Sequence, residues 1–559
     1  MVILGLADGP DAGAALVVDD RVVALEEQER HDQVPRSRAF PWQAIHAVLR
    51  GAGLTAADVD LVAVAGRFTP PLVVRRRPSL GGLAGQNPFS PTADLAIYLQ
   101  AALRGSGFGA MEAERAAELL EGRLREKGFR MQRVVLVDLH KALAEAVYRC
   151  QPHDQMAVFT LHPMGDGAVF SVWKGKAGQL DKMWEQRGFN ALHLHLARCS
   201  RALGLEPLVD DDRLFGLAGR GTPDPRLVEL LRGQLRAEGP RLECEDPLQL
   251  GAFSLLSRRG SSAEAVYRTL ADARPEDAAA SVMANLVDVA CALVRHHATA
   301  LGCRTIGLGG ALFENPRLVA ALAETGAYDH VWTHPTPGFA SLPAGAAVAL
   351  AGVAPRALAS PGQGEHWSDE DCARALDDER VPHGPADLGA LLDAGPVARF
   401  QGRAGYGRHG MGTRSVLVRA DRPDQIAAAR RALGRPSEEE PLALVPGDEA
   451  LPADAARISG PLRYGTVAPR APAGFGERYP GVVAPDGRVH WSVLEPDGDP
   501  ELHAASLALR ARTGSGAIVA WPLATGREPP VSRPMDAIRV WRAMGLGALV
   551  VGGHAGKPR

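Results

Sequence analysis

The chain contains 559 residues, which exceeds one ordinary hydrophobic core and predicts about two to four domains of roughly 100–200 residues each. Its hydrophobic share of 46% and its charged share of 23% are typical of a globular protein. A formal net charge of −3 creates no broad positive field, so binding to nucleic acid is not expected.

The cysteines and the N-terminus bear on the cellular compartment. The six cysteines include no CxxC pair and no His/Cys cluster of zinc-finger spacing, which favours free thiols in a reducing cytoplasm. The N-terminal MVILGLADGPDAG has no basic region, and no segment approaches the ~20 apolar residues of a membrane span. We therefore expect a cytoplasmic protein with no membrane segment.

Five elements open the chain in the order strand, strand, strand, helix, strand. Alternating and β-branched residues predict the strands, and apolar residues at helical spacing predict the helix. The predicted elements are Val2–Leu6, Ala14–Val18, Val22–Glu26, Pro41–Ala52 and Asp60–Ala65. Each half of an actin-like ATPase fold begins with this order.

A second set of elements follows a polar helical insertion at about 85–130. The stretch 156–173 is rich in strand-forming residues, and helical patterns lie near 190–204, 246–258 and 277–302. A short strand, Thr305–Leu308, then leads into Gly309 and Gly310. The two halves have a similar order of elements, although their sequences show no repeat.

A change of composition divides the chain. Residues 356–392 are rich in Pro, Gly, Ser and acidic residues, which is typical of a linker. After them come the Gly-rich segment 402–412, strands near 415–419 and 441–445, and a closing strand-helix-strand over 518–551. We therefore predict a domain over 1–355, a linker over 356–392 and a second α/β domain over 393–559.

Four blocks together resemble the carbamoyltransferase family of the nodulation and antibiotic-tailoring type. They are ILGLADGPDAGAALVVDDRVVALEEQER, LFGLAGRG, GLGGALFENPRL and EPPVSRPMDAIRVWRAMGLGALVVGGH, in the order that the family has them. The resemblance implies an actin-like (ASKHA-type) N-terminal domain and a YrdC-like α/β C-terminal domain. It also implies that ATP and carbamoyl phosphate form carbamoyladenylate in the second domain, and that the carbamoyl group passes to a hydroxyl of a sugar or antibiotic in the first.

The metal ligands that the family uses are missing from the matching positions. The resemblance implies an HxxxH pair and a distant aspartate, which would hold a cation that polarises the carbamoyl oxygen. In VDLHKALAEAVY one register places Asp138 or Leu139 and Ala142 at the histidine positions. The register that uses His140 places Leu143 at its partner position, and Phe339 replaces the aspartate. We predict no metal and interpret His140 as a helix residue without a ligand role.

The phosphate-binding motifs of the first domain are only partly present. In LHPMGDGAV, His162 stands at the first Asp of the family's phosphate turn, while Gly165, Asp166 and Gly167 are kept. The family's His-Asp-Ala-Ser reads Pro-Asp-Ala-Gly over 10–13, so that Asp11 and Ala12 remain. Its EERxxRxK reads Gln-Glu-Arg over 28–30, followed by a glutamine at 33 and a proline at 35. Two basic positions that could neutralise phosphate are therefore lost.

The second domain shows the same losses in its Gly-rich motif. The family's GPRALGNRS keeps Arg414 and Ser415, but His409 replaces an arginine and Thr413 an asparagine. One of two guanidinium contacts to phosphate is lost with that arginine. For Arg414, a structural role that holds the loop and a residual anion site remain equally open.

Three further blocks of the second domain also differ from the family. The acidic triplet, residues 438–440, stands where an aromatic residue and an arginine are expected, and its charge would repel ATP and carbamoyl phosphate. His490 takes an arginine position and Ser492 a glutamine position in the DGTARVQTV block. The polar LNTSFN reads Val-Ala-Trp-Pro-Leu-Ala over 519–524, where Trp521 could fill the vacated pocket.

These losses favour a catalytically degenerate family member that acts as a binding or scaffold module. Its partner would be an active paralogue or a biosynthetic enzyme, with a small-molecule substrate as a further ligand, and no cofactor is expected. The alternative is an active O-carbamoyltransferase with rebuilt sites, which would need ATP, carbamoyl phosphate and a divalent metal. A kinase that uses only the first domain is a weaker third reading. Residual nucleotide or phosphate binding is predicted at Asp11, Gly309, Gly310, Arg414 and Ser415.

Overall fold

The computed structural model of the chain describes residues 1–559 except 78–107, 189, 245–261, 353, 357, 359–361, 406, 408, 527 and 559. The described strands are β1 Val2–Ala7, β2 Gly13–Val18, β3 Arg21–Glu27, β4 Leu61–Ala65, β5 Arg133–Val137, β6 Met156–Gly165, β7 Ala168–Lys176, β8 Gln179–Arg187, β9 Leu235–Glu238, β10 Arg241–Cys244, β11 Thr305–Gly309, β12 His330–Thr333, β13 Gly362–His366, β14 His383–Pro385, β15 Val397–Phe400, β16 Arg403–Gly405, β17 Arg414–Arg419, β18 Leu442–Pro446, β19 Trp491–Leu494, β20 Ile518–Pro522, β21 Ala548–Val551 and β22 His554–Gly556.

The described α-helices are Glu29–Asp32, Trp42–Gly51, Leu72–Arg76, Phe108–Glu126, Leu139–Arg149, Leu192–Ala202, Asp211–Ala218, Pro225–Gln234, Ser262–Asp272, Pro275–Leu301, Pro316–Glu324, Leu342–Ala351, Asp369–Asp378, Leu388–Ala394, Pro423–Ala432, Ser459–Tyr464, Phe475–Arg478, Pro500–Thr513 and Pro534–Met544. Part of the predicted insertion at 85–130 is the helix Phe108–Glu126. The rest of that insertion before residue 108, and the helix predicted over 246–258, lie outside the described residues.

Two sheets of the N-terminal domain repeat one topology. The first is five-stranded with the order β3-β2-β1-β4-β5, and the second is five-stranded with the order β12-β11-β6-β7-β8. In each sheet the first three strands in sequence pair antiparallel, the fourth pairs in parallel with the first, and the fifth pairs in parallel with the fourth. This duplicated arrangement confirms the predicted actin-like fold and the similar element order of the two halves.

Small residues let two helices pack closely in the core between these sheets. The helix Leu342–Ala351 lies against β1, where a Cβ on Gly5 would stand 1.9 Å from the carbonyl oxygen of Pro343. The same helix contacts Leu139–Arg149, where a Cβ on Gly345 would stand 1.9 Å from the carbonyl oxygen of Ala142. Glycine at both positions therefore permits the close approach that places the ends of these helices beside the candidate site.

The longest described helix is Pro275–Leu301, with 27 residues. Within the described ranges it alone is long and apolar enough to cross a membrane, which the composition had not led us to expect. In the fold, 72% of its apolar window is buried, and its side chains join the large hydrophobic core of the N-terminal domain. The core helix of a folded domain can be as long and apolar as a membrane span, so this helix is only weak evidence for a membrane span.

The C-terminal domain is built on an eight-stranded mixed sheet. Its order is β14-β22-β21-β15-β17-β20-β18-β19, and helices such as Pro500–Thr513 and Pro534–Met544 supply apolar faces to the core. The α/β character of this domain is as expected, whereas its likeness to YrdC stays a prediction.

The stretch 356–392, expected as a linker, contains regular elements. They are β13, the helix Asp369–Asp378, β14 and the start of the helix Leu388–Ala394. Strand β14 pairs antiparallel with β22 and so belongs to the eight-stranded sheet, while β13 pairs with β16. The residue bounds of the two domains remain a prediction.

Candidate functional site

Turns from several elements of the N-terminal domain meet at one site. Asp11 lies in the turn between β1 and β2 with a φ of 53°, and its Oδ2 lies 2.9 Å from Nη2 of Arg36. Gly309 is the last residue of β11, and the next residue, Gly310, has a φ of 105°. The amide of Ala311 donates a 3.3 Å hydrogen bond to Nδ1 of His162. Predicted residues from distant parts of the sequence therefore line the same region.

Arg36 is a residue of this site that the motif comparison missed. Its guanidinium pairs with Asp11, donates a 3.1 Å hydrogen bond to the carbonyl oxygen of Leu208 and lies 5.5 Å from the ring centroid of Phe339. Its own amide donates to Oε2 of Glu29 at 2.7 Å. The signal in the sequence is that Arg36 directly follows the proline at the family's lysine position. The two basic positions of the motif are lost, but Arg36 places a cation beside Asp11.

Phe339 fills the position where the family has its third metal ligand. Its side chain is buried, and the imidazole of His162 meets its ring edge-on with the centroids 4.2 Å apart. Because both residues are desolvated, burial lowers the pKa of His162 well below its ordinary value and keeps the imidazole neutral. The guanidinium of Arg36, which pairs with Asp11, thus lies beside a packed pair of rings.

His140 uses both of its ring nitrogens in hydrogen bonds to the protein. Nδ1 lies 2.6 Å from Oγ1 of Thr160, and Nε2 lies 3.0 Å from the carbonyl oxygen of Ala168. Oγ1 of Thr160 lies 2.6 Å from Oγ of Ser171, which accepts from Nε1 of Trp173 at 2.8 Å. Since the carbonyl needs a donor, Nε2 carries the proton and Nδ1 accepts. Burial also lowers the pKa of His140, which is consistent with a neutral structural histidine.

Asp166 binds the backbone rather than presenting a free carboxylate. Its side chain accepts hydrogen bonds from the amides of Arg67, Phe68 and Leu139 at 2.8–2.9 Å. Its own amide donates to Oγ1 of Thr69 at 3.0 Å. A carboxylate that accepts three amide bonds has little capacity left for a magnesium ion. The kept Asp of the phosphate turn therefore holds three chain segments together.

The residues present do not fit the metal that the family implies. Asp138 caps the helix Leu139–Arg149 by accepting from the amide of Lys141 at 2.9 Å, and Ala142 and Phe339 have no ligand atoms. Among the residues that the structure describes, no group of three or more His, Cys, Asp or Glu side chains has an arrangement that could hold a metal ion. Within those residues, no step can be assigned to a metal.

Arg414 is a buried arginine whose terminal nitrogens are engaged by backbone carbonyls. Nη1 donates to Gln401 at 2.7 Å, and Nη2 donates to Gly402 at 3.0 Å, with further contacts to the carbonyls of Thr413 and Glu365. The guanidinium stacks 3.7 Å from the ring centroid of Phe400. Burial, aided by the charge of Arg30, lowers the pKa of Arg414 to about 9. This geometry favours a structural role for Arg414 over a residual anion site.

Ser415 and the glycines around it shape the same loop. Oγ of Ser415 accepts a 3.0 Å hydrogen bond from the amide of Gly412, and the side chain is fully buried. The end of the turn at Gly412 and Thr413 is therefore held from inside by Ser415 and Arg414. The structure places these two residues in the C-terminal domain and places Asp11, Gly309 and Gly310 in the N-terminal domain, so the five predicted residues form two groups.

Two histidines that replace family arginines come together in space. The rings of His409 and His490 meet edge-on with centroids 4.7 Å apart, and Nε2 of His490 lies 2.8 Å from the carbonyl oxygen of Gly465. Burial lowers the pKa of His490, so this ring is neutral where the family has a cation. Trp521 is buried beside β17, where it occupies the position of the polar hexapeptide.

The acidic triplet, Glu438, Glu439 and Glu440, is paired with arginines. Glu438 lies 3.5 Å from Arg213, Glu439 lies 3.5 Å from Arg435, and Glu440 contacts Arg317. That the triplet repels ATP and carbamoyl phosphate stays a prediction, but its charge is paired with arginines of other elements, two of which come from the N-terminal domain. Its carboxylates instead join the two domains.

A cavity of about 130 Å³ is lined by residues of both domains. Arg36 lines it from the N-terminal domain and His409 from the C-terminal domain. The other lining residues are Glu29, Pro35, Leu208, Val209, Asp212, Arg435, Glu439, Pro522, Glu528, Pro529 and Pro530. The arrangement offers charged groups of both signs and a wall of prolines, and the carboxylate of Glu29 is among its charged groups.

A duplicated actin-like domain followed by an α/β domain, with this pattern of kept and lost motifs, defines the class of the protein. The model of the carbamoyltransferase N-terminus matches residues 2–348, and the model of the carbamoyltransferase C-terminus matches residues 389–557. The chain belongs to the carbamoyltransferase family.

Two relatives are distant in sequence. An uncharacterized protein of Synechocystis sp. is 24% identical over 436 residues, which cover 73% of this chain and 69% of that protein. The nodulation protein NolNO of Sinorhizobium fredii is 23% identical over 433 residues, which cover 73% of this chain and 58% of that protein.

Two solved structures align with part of the chain at low similarity. The activator of the 2-hydroxyisocaproyl-CoA dehydratase from Clostridium difficile with bound ADPNP covers 62% of this chain and 94% of its own, with 12% identity and a TM-score of 0.31. The ROK family glucokinase from Streptomyces griseus in complex with glucose and AMPPNP covers 62% and 98%, with 15% identity and a TM-score of 0.30.

Proposed function

We propose that this chain is a catalytically degenerate carbamoyltransferase-family protein of a biosynthetic context. It acts as a binding or scaffold partner of an active paralogue or another biosynthetic enzyme in the cytoplasm. The observation that carries the proposal is Phe339, a buried ring packed on His162 at the position of the third metal ligand. A phenyl group supplies no ligand atom, and stabilisation by a metal or by oriented donors is usually worth several kcal/mol.

The hydrogen bonds of the kept polar residues support the same proposal. His140 and Asp166 bind the protein itself, and Arg414 binds backbone carbonyls, so the remnants of each motif have structural partners. Because each tenfold in rate corresponds to ~1.4 kcal/mol, the combined losses leave little expected turnover.

The test is pyrophosphate release by the purified chain with ATP and carbamoyl phosphate, beside an active family enzyme under the same conditions. We expect release no greater than in a reaction without protein. Release comparable to that of the active enzyme would contradict the proposal. An Arg36→Ala variant measures whether any release depends on the cation that lines the interdomain cavity.

The alternative, an active O-carbamoyltransferase with rebuilt sites, is favoured by one observation. Arg36 supplies a cation beside Asp11 and lines the interdomain cavity, so one lost basic position is replaced from a neighbouring residue. This alternative predicts pyrophosphate release that the Arg36→Ala variant abolishes.

The scaffold role has a test of its own. We expect an equimolar amount of this chain to change the rate or the acceptor range of carbamoyl transfer by its active paralogue. Transfer measured with and without the chain, together with sedimentation of the mixture, decides this. An unchanged rate, an unchanged acceptor range and separate sedimentation of the two proteins would contradict a scaffold role.

A further inference from the structure

Two neighbouring parallel strands of the C-terminal domain end side by side. Strands β18 and β19 pair in parallel, with Pro446 opposite Leu494 at their carboxyl ends. The helix Ser459–Tyr464 follows β18, and the helix Pro500–Thr513 follows β19. When the segments that leave two such strands pass to opposite faces of the sheet, their loops diverge and leave a crevice at the carboxyl ends.

The two helices that follow these strands pack on opposite faces of the sheet. Leu462 of the first helix shares a hydrophobic cluster with Val445. Leu502 of the second helix shares a different cluster with Leu444. Adjacent residues of a strand point to opposite faces, so Leu444 and Val445 mark the two sides of β18. Strands β18 and β19 therefore form a switch point, a place in an α/β sheet where ligands preferentially bind.

A groove of about 600 Å³ lies at this switch point. Gly447 and Asp448 line it just after β18, and Glu495 lines it just after β19. Pockets for small organic ligands usually have volumes of roughly 300–1,000 Å³, so the groove is of suitable size. The acidic triplet precedes β18 and His490 precedes β19, which places these family motif positions at the opposite ends of the two strands. The groove is therefore separate from them.

Four leucines line the groove. Leu462 and Leu494 are buried. Leu451 and Leu507, by contrast, are 45% and 37% exposed. A single exposed leucine is ordinary, but exposed and buried leucines that line one groove leave a shared apolar surface open to solvent. An apolar ligand in the groove removes this surface from water, which favours binding.

The rim of the groove carries an excess of negative charge. Asp448 lies 2.8 Å from Arg510. Glu495 lies 2.5 Å from Arg463, and Asp497 shares the same guanidinium at 3.2 Å, so two carboxylates depend on one arginine. Neither lysine nor arginine is among the described residues that line the groove. Because ion pairs at an exposed surface are weak, the two lining carboxylates retain capacity for a cation.

We propose that this groove binds a small amphipathic cation, an organic amine with an apolar body. The body contacts the four leucines, and the ammonium group pairs with the carboxylates of Asp448 and Glu495. Ser459 and His503 also line the groove and supply further polar groups. The inference does not depend on whether the chain catalyses carbamoyl transfer, because the groove is separate from the family motifs.

The test compares two fluorescent probes on the full chain. Dansylcadaverine ends in an ammonium group, whereas dansyl-ε-aminocaproate ends in a carboxylate on the same apolar body. Dansyl emission brightens and shifts to the blue in an apolar site, so a titration gives the affinity of each probe. We expect the chain to bind the amine at least about fivefold more tightly than the acid, because the lining carboxylates attract one and repel the other.

Two variants assign the binding to the groove. Asp448→Asn with Glu495→Gln removes both lining carboxylates and should weaken the amine at least about fivefold without weakening the acid. Leu451→Gln with Leu507→Gln removes two exposed apolar contacts and should weaken both probes at least about threefold.

Matched substitutions on the N-terminal domain control for overall charge and for non-specific contact. Glu229→Gln with Asp288→Asn removes two exposed acids that share Arg232. Met183→Gln with Leu230→Gln removes two exposed apolar side chains. Neither pair should change the affinity for the amine.

Three results would overturn the proposal. They are the absence of saturable binding of the amine, equal affinities for the amine and the acid, and an affinity for the amine that survives loss of both lining carboxylates. If the double carboxylate variant does not fold, Glu495→Gln alone carries the same comparison, with an expected loss of about threefold.

Discussion

Arg414 shows how a motif residue can be kept for structural reasons. Its guanidinium donates to four backbone carbonyls and stacks on Phe400, so neither Lys nor Met can replace its contacts. We expect Arg414→Lys and Arg414→Met each to destabilise the folded state by about 2–4 kcal/mol, because buried carbonyls lose their donors. Thermal unfolding of both variants measures the effect. Arg422→Lys, at an exposed position, is the control and should change the midpoint little.

The opposite result would restore the phosphate-site interpretation of this residue. A lysine variant with wild-type stability would mean that the carbonyl contacts contribute little and that the charge alone matters.

His140 depends on a chain of hydroxyl groups for its neutral form. Thr160→Val keeps the shape of the side chain but removes the 2.6 Å contacts of Oγ1 with Nδ1 of His140 and with Oγ of Ser171, and leaves Nδ1 with the longer 3.3 Å contact to Ser171. We expect a loss of about 1–3 kcal/mol in the free energy of unfolding, measured by urea denaturation. Thr269→Val, which removes an exposed hydroxyl bound to a carbonyl of its own helix, should cost less than about 0.5 kcal/mol. An equal effect of the two variants would contradict the structural role of His140.

The sequence predicts which residue types are lost at the site better than it predicts what the kept residues do. Phe339 is recognisable as a lost ligand because its chemistry alone excludes coordination. Asp166 is not recognisable as a backbone anchor, because two of its partners, the amides of Arg67 and Phe68, lie 99 and 98 residues away. Arg36 was missed because a shift of one residue moves a charge out of a motif while the fold keeps it beside Asp11.

The turn after β11 needs a glycine at residue 310, and the sequence has one there. Gly310 has a φ of 105°, and a Cβ there would stand 2.1 Å from the carbonyl oxygen of Leu161. We expect Gly310→Ala to destabilise the chain by roughly 3 kcal/mol or more, because both the backbone conformation and the backbone of β6 oppose a side chain. Thermal unfolding or the yield of folded protein measures this.

Gly326 provides the matched control for the same substitution. Its φ of 67° also favours glycine, but a Cβ there would meet nothing within 4 Å. We expect Gly326→Ala to cost about 1 kcal/mol, which is the backbone contribution without the steric clash. If the two variants were equally stable, the close approach at Gly310 would have no energetic consequence.

Local patterns predict the central strands and fail for the short ones. Both ends of β1, β2 and β3 were predicted to within one residue, because their apolar and β-branched residues are buried. Strands β13 and β14 lie in a stretch whose composition is typical of a linker. Their partners, β16 and β22, are distant in sequence, and only the tertiary fold supplies the hydrogen bonds that make them strands.

The two domains are held together by charges that only the folded chain brings together. The sequence gives the sign of the acidic triplet, but it does not give the arginines that surround it, which lie more than 100 residues earlier for Arg213 and Arg317. Composition and motif order were sufficient for the family and for the actin-like fold. They were insufficient for the electrostatics of the interface, because that depends on the docking of one domain against the other.

The buried histidines make the whole molecule sensitive to acid. Burial lowers the pKa of His193 to about 3, and it lowers the pKa of His195 and of His334 to about 4. In the unfolded chain these groups take up protons near their ordinary pKa of 6.5, whereas in the folded chain they do not. The folded state therefore loses stability as the pH falls below 6.5, by about 1 kcal/mol per histidine between pH 6.5 and 5.5.

Glu29 opposes the loss of stability at low pH, between about pH 7 and 4.5. Burial, with the nearby charges of Glu27 and Asp11, raises its pKa to about 7, so the folded state takes up a proton that the unfolded chain binds only near 4.5. Its contribution stabilises the fold as the pH falls from 7 to 4.5 and offsets roughly one histidine. We expect a net loss of at least about 2 kcal/mol between pH 6.5 and 5.5, seen as a lower urea midpoint, because His162, whose pKa burial also lowers well below its ordinary value, adds to these three histidines.

His193→Gln separates the histidine contribution from other acid effects. Removing one buried imidazole should reduce the loss between pH 6.5 and 5.5 by about 1 kcal/mol, whatever the variant's stability at pH 7.5, because the slope depends only on proton uptake. The exposed His46→Gln should leave the slope unchanged. Parallel urea titrations at the two pH values measure both slopes. Identical pH dependence in wild type and His193→Gln would mean that His193 takes up its proton in the folded state, and that its burial does not exclude charge.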